Sequence, residues 1–378
     1  MILIMKKILK VLLGIIVHFQ LWIFAHLDRK GTFLMTIICS YYERYSNNFI
    51  QFKLRPKKAD SIIGTKIKTT TTPGEFAIVL QGPVEVRDDF TFETVRFYKQ
   101  MFPKAHIILS TWDNTEQLLV ERFRAEGCHV VLNSVFRPCG ISNVNYQICT
   151  SLAGIRKAKE LGAVYTLKNR SDLRLYREFV LEYLKSLMNL FPVPIDNSLN
   201  LRGRILTQSG NWGQMFMPLW LQDFLYFGYT DDLLDLFNIE YSDSTISSSQ
   251  VFFKKMSCER DVMGDFMFNI GVPELYITRT FVKKHISEDI DVKRYWEMVK
   301  DYFIMLDSEQ LGSFWYKARH LELSNFCCEY DGVSYFTDSQ RHISFEDFIN
   351  IHNDIYKYEV WMEKERNNYV VFRNKSKK

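Results

Sequence analysis

The sequence predicts an α/β fold, a mostly parallel sheet flanked by helices, behind an amphipathic helical arm at the N-terminus. Three observations predict it. Short, wholly apolar runs alternate with helical patterns from residue 76 to residue 168. Gly or Pro closes most of these segments. The excess positive charge is confined to the first 68 residues. The chain has 378 residues and is 47% apolar, enough to build a core of one large or two modest domains. With 15% aromatic residues, 9 Pro and 17 Gly, it is not collagen-like, mucin-like or linker-rich.

Residues 1–72 read as the arm. Within 1–68, twelve Lys and Arg face three Asp and Glu, a net of +9; the 36 basic and 41 acidic residues that follow give −5. The run Val11–Ala25 is apolar but shorter than the ~20 residues a spanning helix needs, and His18 and Gln20 interrupt it. On a helical wheel Ile8, Leu12, Ile15, Phe19, Trp22 and Ile23 share one face, with Lys7, Lys10, Gly14 and His18 opposite. That pattern suits a helix lying in an anionic membrane surface. The rival readings are a signal peptide, a short tilted anchor and a helix packed on the protein's own core. No small-x-small cleavage site follows Ala25.

The threonine stretch closed by Pro73-Gly74 marks a boundary, and the body follows. Phe76–Leu80 reads as a strand buried on both faces, ended by Gln81-Gly82-Pro83. Thr91–Phe102 has helical spacing and Pro103 stops it. His106–Ser110 is the second strand, Thr115–Ala125 the second helix and His129–Leu132 the third strand. Asn145–Leu161 is the third helix and Val164–Lys168 the fourth strand. Right-handed crossovers place the C-terminal ends of these strands on one edge, where ligands of such sheets bind. The later chain is less regular. Arg204–Gln208 and Met215–Met217 read as strands, and Gln222–Asn238 as a helix with a turn at Gly228. Residues 251–268 and 290–304 read as helices, and 345–367 as one long helix. The remaining tail is basic.

The seven Cys are odd in number, irregularly spaced and lack C-x-x-C, which fits a reducing cytosol better than a disulfide framework or zinc site. P-loop and dinucleotide-binding glycine motifs are absent, as are H-E-x-x-H and G-x-S-x-G. The strongest constellation is Lys168-Asn169-Arg170-Ser171-Asp172-Leu173-Arg174, directly after the fourth strand. Its cations suit the phosphates of a donor, and its carboxylate suits a divalent cation or a sugar hydroxyl. A solvated strand end with a surface Arg–Asp pair is the plainer reading. Gln81-Gly82-Pro83 can let a ligand approach the backbone, or can simply be a turn.

The stretches IVLQGPV, TFETVRFYKQMFPKAHIILSTWD and NVNYQICTSLAGIRKAKELGAVYTLKNRSDLR resemble the WavE lipopolysaccharide-synthesis family, as do LQDFLYFGYTDDL, GVPELYITRTFV and YFIMLDSEQLGSFWYK. The resemblance runs from about Phe76 to Phe336. It implies a GT-A-like (Rossmann-like) glycosyltransferase domain over residues 73–345, followed by a C-terminal helix and basic tail over 346–378. The nucleotide-sugar half would be 73–190 and the acceptor half 191–345. Gln81, Gly82 and Pro83 would sit beside the nucleotide, with Trp112 nearby, and Asn145 and Gln147 would open the helix that faces the donor. Lys168, Arg170 and Asp172 occupy the place of the metal-binding D-x-D. Arg170 departs from that pattern and leaves one carboxylate. Asp172 with the donor's diphosphate can hold Mg²⁺ or Mn²⁺; alternatively Lys168 and Arg170 neutralise the diphosphate without a metal.

An inverting transfer needs a carboxylate base on the acceptor hydroxyl, and Asp223 and Glu274 are the candidates. Each also suits a structural place near a helix start. Asp307 and Lys317 are weaker candidates, and a structural role is the plainer reading for both. Trp112, Trp212 and Trp220 are candidates for an acceptor groove, or for core. The expected function is sugar transfer from a nucleoside-diphosphate sugar to a glycan or lipid-linked acceptor, in bacterial lipopolysaccharide or capsule synthesis. The expected place is the cytoplasmic face of the inner membrane, held peripherally. The alternatives are a nucleotidyltransferase activating a sugar phosphate and a non-catalytic membrane scaffold. The acidic body opposes nucleic-acid binding.

Overall fold

The computed structural model describes residues 14, 16, 19, 22, 23, 32–46, 49, 53–61, 72–209, 215, 218–244, 272–318 and 343–365. The chain divides into two compact units, Met1–Arg55 and Pro56–Lys378. In the first, helix α1 (Thr32–Tyr45) exposes Ile37, Ile38, Tyr41, Tyr42 and Tyr45. Ile16, Phe19, Trp22 and Ile23 are helical and exposed too. Among the described residues no helix is long and apolar enough to cross a membrane. The other residues of the amphipathic run, the helix expected over 251–268, Trp212, Phe216, Met217 and the tail lie outside the described residues.

The second unit is built on a seven-stranded sheet in the order β3-β2-β1-β4-β7-β6-β8. Its strands are β1 (Phe76–Gln81), β2 (His106–Trp112), β3 (His129–Asn133), β4 (Tyr165–Arg170), β6 (Ile205–Gln208), β7 (Leu225–Tyr229) and β8 (Phe303–Leu306). Only β7 runs against its neighbours, antiparallel to both β4 and β6. Helices α2 (Phe90–Met101), α3 (Gln117–Ala125) and α4 (Val144–Glu160) make the first three connections. Each strand–helix unit falls where the apolar runs and Gly or Pro stops predict it. Helix α4 lies close over β1 and β2 because Gly154 has no side chain. A Cβ there would come within 2.3 Å of Val79 Cγ1 and 3.1 Å of Ser110 Cβ.

The chain moves outward from β1 to β2 to β3, then returns to place β4 on the other side of β1. The C-terminal ends of β1 and β4 therefore border the switch point where open α/β sheets bind ligands. There Gln81 pairs in register with Arg170. A second, two-stranded sheet joins β5 (Leu173–Leu175) to β9 (Ser313–Trp315) antiparallel, beside this edge. The remaining helices are α5 (Val180–Leu190), α6 (Thr230–Phe237), α7 (Pro273–His285), α8 (Val292–Tyr302), α9 (Ser308–Leu311), α10 (Phe345–Asn353) and α11 (Ile355–Glu365).

Three sequence expectations need correction. Residues 222–238 are not one helix with a turn: Leu225–Tyr229 is strand β7, and α6 follows it. Four of the five β7 residues are buried, so the alternation that marks a half-exposed strand is missing. The helix over 290–304 stops at Tyr302, and Phe303 already belongs to buried β8. The long C-terminal helix breaks at Asp354, whose carboxylate accepts from the backbone N–H of Lys357 at 3.0 Å and so caps α11.

Candidate functional site

The backbone of the switch point is fixed first. Gly82 has φ +111°, which turns the chain sharply off β1. Its N–H donates to the Ser110 carbonyl, while the Ser171 N–H donates to the Gln81 carbonyl at 2.9 Å. The Ser171 hydroxyl donates to the Pro83 carbonyl, and Thr91 Oγ1 donates to the Ser171 carbonyl at 2.9 Å. The Gln81-Gly82-Pro83 turn and the Arg170-Ser171-Asp172 turn are thus one hydrogen-bonded unit.

On that unit Arg170 grips Asp172 with one guanidinium edge, Nε to Oδ1 at 2.8 Å and Nη2 to Oδ2 at 3.0 Å. Lys317 adds a second cation, with Nζ 3.1 Å from Asp172 Oδ2. The Arg170 guanidinium lies 5.4 Å from the ring centre of Phe224 and 5.6 Å from that of Trp315. Burial alone would raise the Asp172 pKa, but Arg170 and Lys317 hold the carboxyl well below the usual range, so it stays ionised. Lys317 reaches Asp172 because β5 pairs with β9 and the Tyr316 N–H donates to the Asp172 carbonyl at 2.9 Å. The sequence ranks Lys317 only as a weaker candidate, because its one local signal is a lysine just past an aromatic run.

Lys168 lies below this surface. It is fully buried, and its Nζ donates to the Asp223 backbone carbonyl at 2.6 Å. Gln147 Nε2 approaches the same carbonyl at 3.5 Å. Burial pushes the Lys168 pKa down to about 7, although Asp223, Asp172 and Glu274 favour its charge. Lys168 and Gln147 therefore hold the Asp223 backbone and do not face the strand edge. Asn145 is fully buried and engaged at both ends of its amide. Its Nδ2 donates to the Pro138 and Ser242 carbonyls, and its Oδ1 accepts from the Ser242 N–H. It ties the loop before α4 to the segment after α6. Arg174, read with the same constellation, points away into the core. It donates to Thr94, Tyr176 and the carbonyls of Phe90, Pro56 and Lys57, and staples Pro56–Lys57 to α2.

The acidic side is built on the β6–β7 connection and α7. Asp223 is buried, and its Oδ1 has no hydrogen-bond partner among the described residues. Trp220 Nε1 and both amide atoms of Gln208 share that condition, between the end of β6 and the start of β7. An orphaned buried polar group costs about 1–3 kcal/mol. A group of them is expected where a ligand supplies the missing partners. Glu274 stands in the first turn of α7, half-buried, behind Pro273 at the helix start. Its charge, like that of Asp223, acts on both Lys168 and Arg170. Trp112 is half-buried and packs edge-on against Tyr146 at 4.9 Å, whereas Trp220 is core. Asp307 accepts weakly from the Phe345 N–H and forms a capping box with Gln310, a structural role as expected.

The residues do not fit a resident divalent cation. Mg²⁺ and Mn²⁺ need open oxygen ligands. Both Asp172 oxygens already face cations at 2.8–3.1 Å. Among the described residues no three His, Cys, Asp or Glu gather at metal-ligand spacing. The metal-binding role expected for Asp172 has no geometric support, and no chemical step is derived through a metal.

A family model for WavE lipopolysaccharide synthesis matches residues 76–374, from the first residue of β1 onward. The chain belongs to the WavE lipopolysaccharide synthesis family. The WavE match contains every candidate site residue named above. Among curated proteins no relative is found. Solved structures resemble the WavE chain only loosely. A protein described as a nucleotide-diphospho-sugar transferase from Desulfovibrio desulfuricans is 12% identical, covering 49% of this chain and 77% of its own, with a TM-score of 0.29. A cytidylyltransferase from Leptospira borgpetersenii is 11% identical, covering 80% and 98%, with a TM-score of 0.32. TarS of S. aureus in complex with UDP is 13% identical, covering 60% and 78%, with a TM-score of 0.29. These superpositions are too loose to carry a functional argument.

Proposed function

We propose that this WavE chain transfers a sugar from a nucleoside-diphosphate sugar to a glycan or lipid-linked acceptor in bacterial surface polysaccharide synthesis. The observation that carries the reading is the opposition of two groups at one sheet edge. Arg170, set by Asp172, offers positive charge at the switch point. Asp223, within electrostatic reach of Arg170, carries a buried carboxylate oxygen without a partner among the described residues. A donor's diphosphate belongs beside the first and an acceptor hydroxyl beside the second. The acceptor oxygen attacks the anomeric carbon as Asp223 takes its proton. The bond from that carbon to the β-phosphate oxygen breaks, and its electron pair leaves on the diphosphate, which Arg170 stabilises. Lys168 and Gln147 position Asp223 through its carbonyl. The Gln208 and Trp220 groups, which have no partner among the described residues, are suited to sugar hydroxyls.

A nucleotidyltransferase would need free cations in the loop after β1. Arg87 there is held by Glu85 in two hydrogen bonds, at 2.9 and 2.6 Å, and this disfavours that reading. The arm's exposed Phe19, Trp22 and Ile23, with its +9 charge, suit peripheral attachment to an anionic, cytoplasm-facing membrane surface.

Thermal denaturation of the full chain and of a form lacking residues 1–30 tests both parts. At a hundredfold excess over Kd, a nucleoside diphosphate stabilises by about 2.7 kcal/mol, so both forms are expected to melt higher with one such nucleotide. Only the full chain is expected to sediment with anionic vesicles. No shift with any nucleoside diphosphate would count against the transferase reading, and vesicle binding by the shortened form would count against the arm.

A further inference from the structure

We infer that Lys317 and Arg170, clamped on the two sides of Asp172, together take the place of a metal ion and bind the donor's diphosphate directly. The inference rests on the transferase reading above and deepens it. In the D-x-D position this chain has one carboxylate, and that carboxylate is already neutralised. Two cations against one carboxylate leave the Arg170–Asp172–Lys317 group with one net positive charge at the switch point.

Each cation has donor capacity to spare. Arg170 uses Nε and Nη2 on Asp172, and its Nη1 makes no hydrogen bond among the described residues. Lys317 has three ammonium protons, of which Asp172 takes one, and its side chain is 52% exposed. Lys168 cannot supply this second charge, because it is fully buried and bonded to the Asp223 carbonyl. Asp172 then acts as the template that spaces two cations, in place of a metal ligand. It is set at the right height by the Tyr316 N–H on its carbonyl and by the Ser171 bonds to the β1 turn. Phe224 and Trp315 flank the Arg170 guanidinium, with ring centres 5.4 and 5.6 Å away.

The test is the affinity of the full-length protein for UDP, CDP, GDP and ADP, and for the matching monophosphates, by calorimetry in EDTA and in Mg²⁺ or Mn²⁺. The tightest diphosphate is expected to bind equally, within about twofold, with EDTA or metal. Lys317→Ala is expected to weaken that diphosphate about tenfold or more, the loss of one charge-assisted contact. It should leave the monophosphate nearly unaffected, so that the gap between them narrows. Lys317→Arg should restore most of the gap, and Lys157→Ala on the far end of α4 should change neither. The melting temperature of each variant separates lost binding from lost folding. Diphosphate binding that falls tenfold in EDTA would overturn this inference and leave the transferase reading standing. So would a Lys317→Ala protein that keeps the full gap. Absence of diphosphate binding with and without metal would overturn the transferase reading itself, and this inference with it.

Discussion

Asp223→Asn is expected to lower the transfer rate by about 10²–10⁴-fold, the usual contribution of a positioned general base. Nucleoside-diphosphate affinity should change by less than about twofold. The substitution keeps size and shape, and the Lys168 bond survives because it goes to the backbone carbonyl of residue 223. It removes the capacity to accept a proton at the buried oxygen that has no partner among the described residues, and with it the negative charge that acts on Lys168 and Arg170. Glu274→Gln is the necessary comparison. Glu274 acts on Lys168 and Arg170 through its charge, and as a second-rank group it should cost far less turnover. Stopped or quenched assays at saturating donor decide between them. If Asp223→Asn keeps more than a tenth of the rate while Glu274→Gln loses it, the base is Glu274.

Asp172→Ala should be the most destabilising single change at the site. It strands Arg170 in a setting of Phe224 and Trp315 with both hydrogen bonds of its guanidinium to Asp172 gone. Breaking a buried ion pair by removing one partner costs about 3–5 kcal/mol. The double variant Asp172→Ala, Arg170→Met should recover a substantial part of that loss, because the cation left behind, Lys317, is half exposed to water. Urea titration of the wild type and the variants measures it. The pH dependence follows from the depressed Asp172 pKa. A carboxyl that ionises more readily folded than unfolded contributes stability above its unfolded pKa. That stability is lost as the pH falls through the ordinary carboxylate range toward the folded value. Wild type should lose this increment below about pH 4, and Asp172→Ala should lack it at every pH. Equal acid sensitivity in the two proteins would contradict the assignment of the pair.

Much of this arrangement is legible in the sequence, and the limits of legibility have physical causes. The first four strands are short, mostly apolar runs ended by Gly, Pro or polar turns, so β1 to β4 and their helices follow from pattern alone. Strand β7 hides, because burial of Leu225 to Gly228 erases alternation and its aromatics mimic helical spacing. The Arg170–Asp172 clamp is local and can be suspected from two letters. Lys317 is only a weak candidate from the sequence, since three-residue strands β5 and β9 are too short to show a period and bring it in from far along the chain. Lys168 and Asn145 fail for another reason. A strand lysine and a helix-start asparagine look the same whether they meet a ligand or the backbone. Only the bonds to Asp223, Pro138 and Ser242 show which. Arg174 shares the motif with Arg170 but serves the core.

A sugar transfer that releases a nucleoside diphosphate from this switch point is tested most directly by its nucleotide product. The purified full chain is given a panel of nucleoside-diphosphate sugars, or nucleoside triphosphates with sugar 1-phosphates, in EDTA. One nucleotide sugar is expected to yield a nucleoside diphosphate, with the release stimulated by membrane-derived glycan acceptor and without pyrophosphate. Pyrophosphate release from a nucleoside triphosphate and a sugar 1-phosphate would contradict it.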